Sequence, residues 1–140
     1  MSFANKLYPN VPSLGVPLYQ STLVSENNSL TDGANTVTIS SISPTMRAGR
    51  MRYKIYNGAG TSPAVVSVVV TVTDGTTTEL VHYFYPNAAR AISSTGWIDW
   101  TFTFISELSV NSVSIVVTLS GTSETGKLDF EVSPGSTGNS

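Results

Sequence analysis

Cysteine is absent from this chain, and charge is scarce. The missing thiols exclude thiol catalysis, thiolate zinc sites and a disulfide framework together. They fit a reducing compartment. Only 11% of residues are charged, against about 25% in ordinary globular proteins. Helix signals are missing too: no window keeps i, i+3, i+4 apolar spacing between caps. No run approaches the roughly 18 apolar residues a membrane helix needs. The N-terminus has one lysine, and prolines where a signal peptide would have its apolar core, so it does not read as a secretory signal. The sequon Asn27-Asn28-Ser29 then reads as a chance match.

Hydroxyls take the place of charge. The chain of 140 residues holds 21 serines and 18 threonines, with net charge -2 and 40% hydrophobic residues. That apolar content excludes a disordered polyelectrolyte. The length is that of one domain, large enough to fold without a disulfide or metal. A low-charge surface is common where much of it becomes covered, since interface cores are depleted in charge. It is also what a Ser/Thr-rich β protein of any function shows.

Strand signals are strong and regularly spaced. They fall at STLVS (21–25), TVTISSIS (36–43), RMRYKIY (50–56), AVVSVVVTVTD (64–74), TELVHYFY (78–85), WIDWTFTFI (97–105), SVSIVVTLS (112–120) and KLDFEVS (127–133). Turn-rich pieces such as NGAGTSP, DGTT, SSTG and GTSETG separate them. Eight strands with no helix between them predict an all-β fold: a single antiparallel β-sandwich, best read as an eight-stranded jelly roll. The sandwich domain spans 21–133. Residues 134–140 (PGSTGNS) form a loose tail by composition.

Residues 1–20, MSFANKLYPNVPSLGVPLYQ, form an arm before the first strand. Pro9, Pro12 and Pro17 rule out a helix or a central strand. Leu7, Tyr8, Val11, Leu14, Leu18 and Tyr19 are too apolar for a solvated leader. A pre-extended segment loses less entropy on docking. Its surface is either a neighbouring subunit or its own domain.

Strand periodicity assigns faces. Arg50, Arg52 and Lys54 share one face of RMRYKIY, and Arg47 lies just upstream, so four of the seven Lys and Arg residues fall within eight positions. The stripe either faces solvent beside cross-strand acids such as Glu79 or Asp129, or meets an acidic partner. Nucleic acid is disfavoured by the small positive footprint. Trp100 shares its parity with Ile98, Phe102 and Phe104, which predicts a core position. Trp97 falls on the outer face, as a sugar-stacking platform, a protein anchor or a ring folded under a loop. Leu80, His82 and Phe84 share one face of their strand; Val81, Tyr83 and Tyr85 share the other.

Catalytic signals are not apparent. His82 is the single histidine and lies on an apolar strand face, with no second His or Cys to share a metal. No nucleophile elbow, HExxH, P-loop or dinucleotide fingerprint occurs. Asp32-Gly33 and Asp74-Gly75 read as turns, although a turn aspartate is also chemically suited to calcium. The expectation is a non-enzymatic protein with no catalytic residue, no cofactor and no metal.

The arm, the Ser/Thr-rich strands TVTISSIS through KLDFEVS and the tail SPGSTGNS together resemble the capsid decoration (cement) proteins of tailed bacteriophages. The resemblance implies a structural virion protein on the outer capsid surface, made in the host cytoplasm. It implies a dimer or trimer that bridges major capsid protein subunits, with no direct nucleic-acid or membrane contact. Leu7, Tyr8, Val11, Leu14, Leu18, Tyr19, Arg47, Arg50, Arg52, Lys54 and Trp97 are the expected partner-binding residues. A carbohydrate- or receptor-binding β-sandwich module is the other reading, motivated by Trp97 and the tyrosines. A coat protein that builds the shell itself is a third.

Overall fold

Every regular element in the computed structural model is a strand, and it describes residues 23–27, 29–58, 63–93, 96–122 and 125–135. The elements are β1 (Leu23–Asn27), β2 (Gly33–Ile39), β3 (Met46–Tyr56), β4 (Ala64–Thr73), β5 (Thr78–Phe84), β6 (Arg90–Ala91), β7 (Trp97–Val110), β8 (Ser112–Ser120) and β9 (Lys127–Pro134). All eight expected strands are present. The ninth, β6, is two residues long and carries no sequence signal.

One sheet has the order β1-β9-β3-β7, and the other β2-β8-β4-β5 with β6 beside β4. Every pairing is antiparallel. The long strands pair first with last: β1 with β9, β2 with β8, β3 with β7 and β4 with β5. That is a long hairpin, folded over on itself into two layers, the jelly-roll solution. β1 lies against β2 at one side of the sandwich, and β7 lies against β5 at the other.

The hairpin turns at Asp74–Thr77. Asp74 Oδ1 accepts the backbone N–H groups of Thr76 at 2.8 Å and Thr77 at 2.7 Å. Those bonds hold its carboxyl below the usual carboxylate range. Gly75 sits at φ +98°, where a side chain would be strained. Asp32 Oδ1 likewise accepts Gly121 N–H at 2.8 Å. Both turn aspartates therefore hold backbone N–H groups through their carboxylates.

The core follows from alternation. Met51, Tyr53 and Ile55 of β3 and Val68, Val70 and Val72 of β4 are buried, as are Leu128, Phe130 and Val132 of β9. Burying one such side chain contributes on the order of 1.5–3 kcal/mol before ordering costs. Gly49 leaves room for its flanking strands in the same sheet: a Cβ there would lie 2.9 Å from Ser133 O of β9 and 3.0 Å from the Phe104 ring of β7.

β7 is regular against β3 from Trp97 to Ile105, and the register then slips between Met46 and Ala48. Past the slip the strand turns toward the other sheet. Ser106 Oγ donates to Glu79 Oε1 at 2.5 Å, and Asn111 N–H donates to Thr73 O at 3.0 Å. Arg47 caps this corner, donating to Glu107 O and to Ser109 Oγ.

Candidate functional site

The two outer faces of the sandwich differ in chemistry. On the β1-β9-β3-β7 sheet, cross-strand rows set Glu26, Asp129, Lys54 and Asp99 side by side, then Val24, Glu131, Arg52 and Thr101. Arg50 is in register with Ser133 and Thr103, and Tyr56 with Lys127 and Trp97. Acids therefore flank the basic stripe on both sides. Arg52 forms a two-pronged pair with Asp99, Nε to Oδ1 at 2.9 Å and Nη2 to Oδ2 at 2.7 Å. That hydrogen bond holds the Asp99 carboxyl below its usual range and raises the Arg52 guanidinium. Lys54 Nζ lies 4.8 Å from the Trp97 ring centre, a cation–π contact. Asp129 was a foreseeable neighbour of the stripe and does sit in register with Lys54. Glu79 belongs to the opposite sheet and bonds Ser106 instead.

The other sheet has no charge on the corresponding face among the described residues. Its rows read Thr36, Val116, Val69, Tyr83 and Thr38, Ser114, Thr71, Leu80. A hydroxyl and valine surface of this kind costs less to desolvate than a charged one.

At the β5/β7 side these chemistries give way to exposed apolar residues. Among the described residues eight large hydrophobic side chains are exposed, and six of them belong here: Leu80, Tyr83 and Tyr85 from β5 and its end, and Trp97, Trp100 and Ile105 from β7. Ile105 is 86% exposed. Tyr83 and Tyr85 stand with ring centres 5.9 Å apart. Both strands are sheet edges, so their outward backbone groups have no strand partner among the described residues.

Trp100 corrects the core assignment. It has inward parity but is 54% exposed. Parity sets the direction of a side chain, not what covers it. Trp100 sits on an edge strand with Tyr53 as its lateral neighbour in register, and no described strand flanks its other side. His82 lies beneath, 6.3 Å from Trp100, and stacks on Phe102 at 4.4 Å. Leu80 is also corrected. A bulge between Val70 and Thr71 puts Leu80 opposite Thr71 on the outer face, while Val81 packs on the core.

His82 is structural in its contacts. Its Nε2 is 3.1 Å from the Tyr53 hydroxyl, and burial lowers its pKa. Burial also pushes the Tyr53 phenol up to about 12. Among the described residues no group of three or more His, Asp or Glu could hold a metal ion, and no helix is long and apolar enough to cross a membrane.

Trp97 is exposed as expected, at 58%. Arg47, Arg50 and Arg52 are exposed and Lys54 is half-buried on the charged face. Leu7, Tyr8, Val11, Leu14, Leu18 and Tyr19 lie outside the described residues, as does the end of the tail from 136. The exposed members Leu80, Tyr83, Tyr85, Trp100 and Ile105 were missed. Their signal was the pairing of β5 with β7 across the sandwich, which needs the strand order.

No known protein family and no curated protein sequence matches this chain. Among solved structures it is similar to a disulfide-linked pilus of Bacillus endospore appendages, at 14% identity and TM-score 0.42, over 89% of this chain and 94% of that one. It is similar to the CBM22-1 xylan-binding domain of Paenibacillus barcinonensis Xyn10C, at 14% identity and TM-score 0.44, over 87% of each chain. It is also similar to a chain of the infectious bursal disease virus Gx strain, at 10% identity and TM-score 0.43, over 86% of this chain and 37% of that one.

Proposed function

We propose that this chain is a non-enzymatic structural protein of a larger assembly, a capsid decoration protein that bridges major capsid protein subunits. The observation that carries the reading is the collection of exposed apolar side chains on the β5/β7 side. Monomeric proteins rarely leave so many large apolar side chains exposed along two open sheet edges. The uncharged face beside it suits a buried contact, and the charge-balanced face suits solvent. In this reading Trp97, Trp100 and Ile105 along β7, and Leu80 and Tyr83 along β5, supply apolar contacts on the two edges. Arg47, Arg50, Arg52 and Lys54 stand at their rim. The arm at 1–20 reaches a neighbour with Leu7, Tyr8, Val11, Leu14, Leu18 and Tyr19, and repeated placement over a shell multiplies weak contacts.

The test is a binding assay on shells that lack the protein. The full chain saturates them, and a chain without residues 1–20 keeps its β-sheet spectrum but fails to bind. Saturation by the truncated chain would sink the arm mechanism.

Carbohydrate binding is the second reading, favoured by the exposed rings of Trp97, Trp100, Tyr83 and Tyr85. A glycan-array signal that disappears in Trp97→Ala or Trp100→Ala supports it; an array without signal removes it.

A further inference from the structure

Resting on the assembly reading, we infer that the occupant of the β7 edge is a second copy of this chain, paired antiparallel through β7 with its two-fold axis at Thr101. β7 keeps an unbroken ladder with β3 from Trp97 to Ile105, after which the register shifts before Val110 pairs with Met46. A two-fold axis normal to the sheet sets outer residues against outer residues, so it passes through a residue. The midpoint of Trp97–Ile105 is Thr101, and only that centre pairs the whole regular stretch with itself.

The chemistry agrees with that register. Trp97 faces the partner's Ile105 on the outer face, joining two of the most exposed apolar side chains. Trp100 faces the partner's Phe102 on the inner face. Asp99, the one charge in the stretch, faces the partner's Thr103 while remaining bonded to Arg52 of its own chain. Thr101 faces its own copy, a favourable hydroxyl pair in antiparallel sheets. Neighbouring centres do worse. An axis at Phe102 sets Asp99 against Ile105 and Trp97 against Glu107. An axis at Thr103 sets Asp99 against Glu107, two like charges directly opposed. An axis at Trp100 leaves Ile105 beyond the paired stretch. The product is a continuous eight-stranded sheet, β1-β9-β3-β7 joined to β7-β3-β9-β1, with no open β7 edge.

Because the chain has no cysteine, a single introduced thiol reports the register without background. Thr101 and Thr103 are both exposed, so both variants keep the core. In the full-length chain, Thr101→Cys should give a covalent dimer under mild oxidation or a short bismaleimide. Thr103→Cys should give little, because its two copies stand about 13 Å apart, four residues of register. Thr101→Lys should weaken self-association by at least about tenfold, through like charges directly opposed at the axis. Equal crosslinking of the two cysteine variants, or crosslinking of neither in a chain that sediments as an oligomer, overturns the β7 register and leaves the assembly reading standing. A chain that stays monomeric and also fails to bind shells overturns both.

Discussion

Tyr53 on β3 and His82 on β5 join the two sheets, the phenol oxygen 3.1 Å from the imidazole Nε2. Tyr53 is buried and His82 is half-buried against Phe102 and Trp100. Glu79 lies on the same strand, and Arg90 of β6 is near enough to act on the Tyr53 phenol. Burial favours neutral imidazole, so the folded chain binds a proton less readily at His82 than the unfolded chain does. Stability should therefore hold above about pH 6.5, the unfolded value. It should fall as pH drops from there toward the lower folded value. Thermal melts of wild type and His82→Gln check this: the wild-type slope between pH 7 and 5 should be absent in the variant. Parallel curves would show that His82 is not the titrating group. Asp99 and Asp74, whose pKa values are also lowered, act below the carboxylate range.

Removing only the hydroxyl isolates the link itself. Tyr53→Phe keeps the ring in the core and should cost roughly 0.5–1.5 kcal/mol, the net worth of one hydrogen bond. Urea unfolding at pH 7.5 measures it. In the double variant with His82→Gln the two losses should be less than additive, as for residues sharing one contact.

Much of the fold was legible because β-branched and aromatic residues alternate in eight separated runs. SVSIVVTLS matches β8 residue for residue. Coverage was not legible. Trp100 obeys inward parity, and its exposure follows from β7 being an edge. Leu80 lost its expected face to a bulge that no residue type announced. Asp99 as the partner of Arg52 required knowing that β7, not β5, lies beside β3. The basic stripe, the outward Trp97 and the structural histidine could be read from local pattern; the clustering of apolar residues at β5/β7 depended on topology.

The Arg52–Asp99 pair is surface-exposed and salt-screened. Asp99→Asn should lower Tm only slightly, and the deficit should shrink between low and high salt. Thermal melts at two ionic strengths check it. A large, salt-independent loss would instead assign the pair a role in holding β7 to β3.

Core and edge should separate in stability. Phe130 is fully buried, and Phe130→Ala should cost about 3–5 kcal/mol from lost burial and the cavity left behind. Ile105→Ser removes an exposed side chain and should stay within about 0.5 kcal/mol. Denaturant midpoints compare the two. A large loss at Ile105 in dilute monomer would mean that its own chain covers it.

The reading stands on the apolar β5/β7 side being a protein contact. Sedimentation equilibrium of wild type and of the Trp97→Ser, Trp100→Ser double variant, over a wide concentration range, tests it most directly. The wild type should sediment as an oligomer and the variant as a folded monomer with an unchanged β-sheet spectrum. A wild type that remains monomeric at the highest concentration, or a variant of undiminished mass, would contradict it.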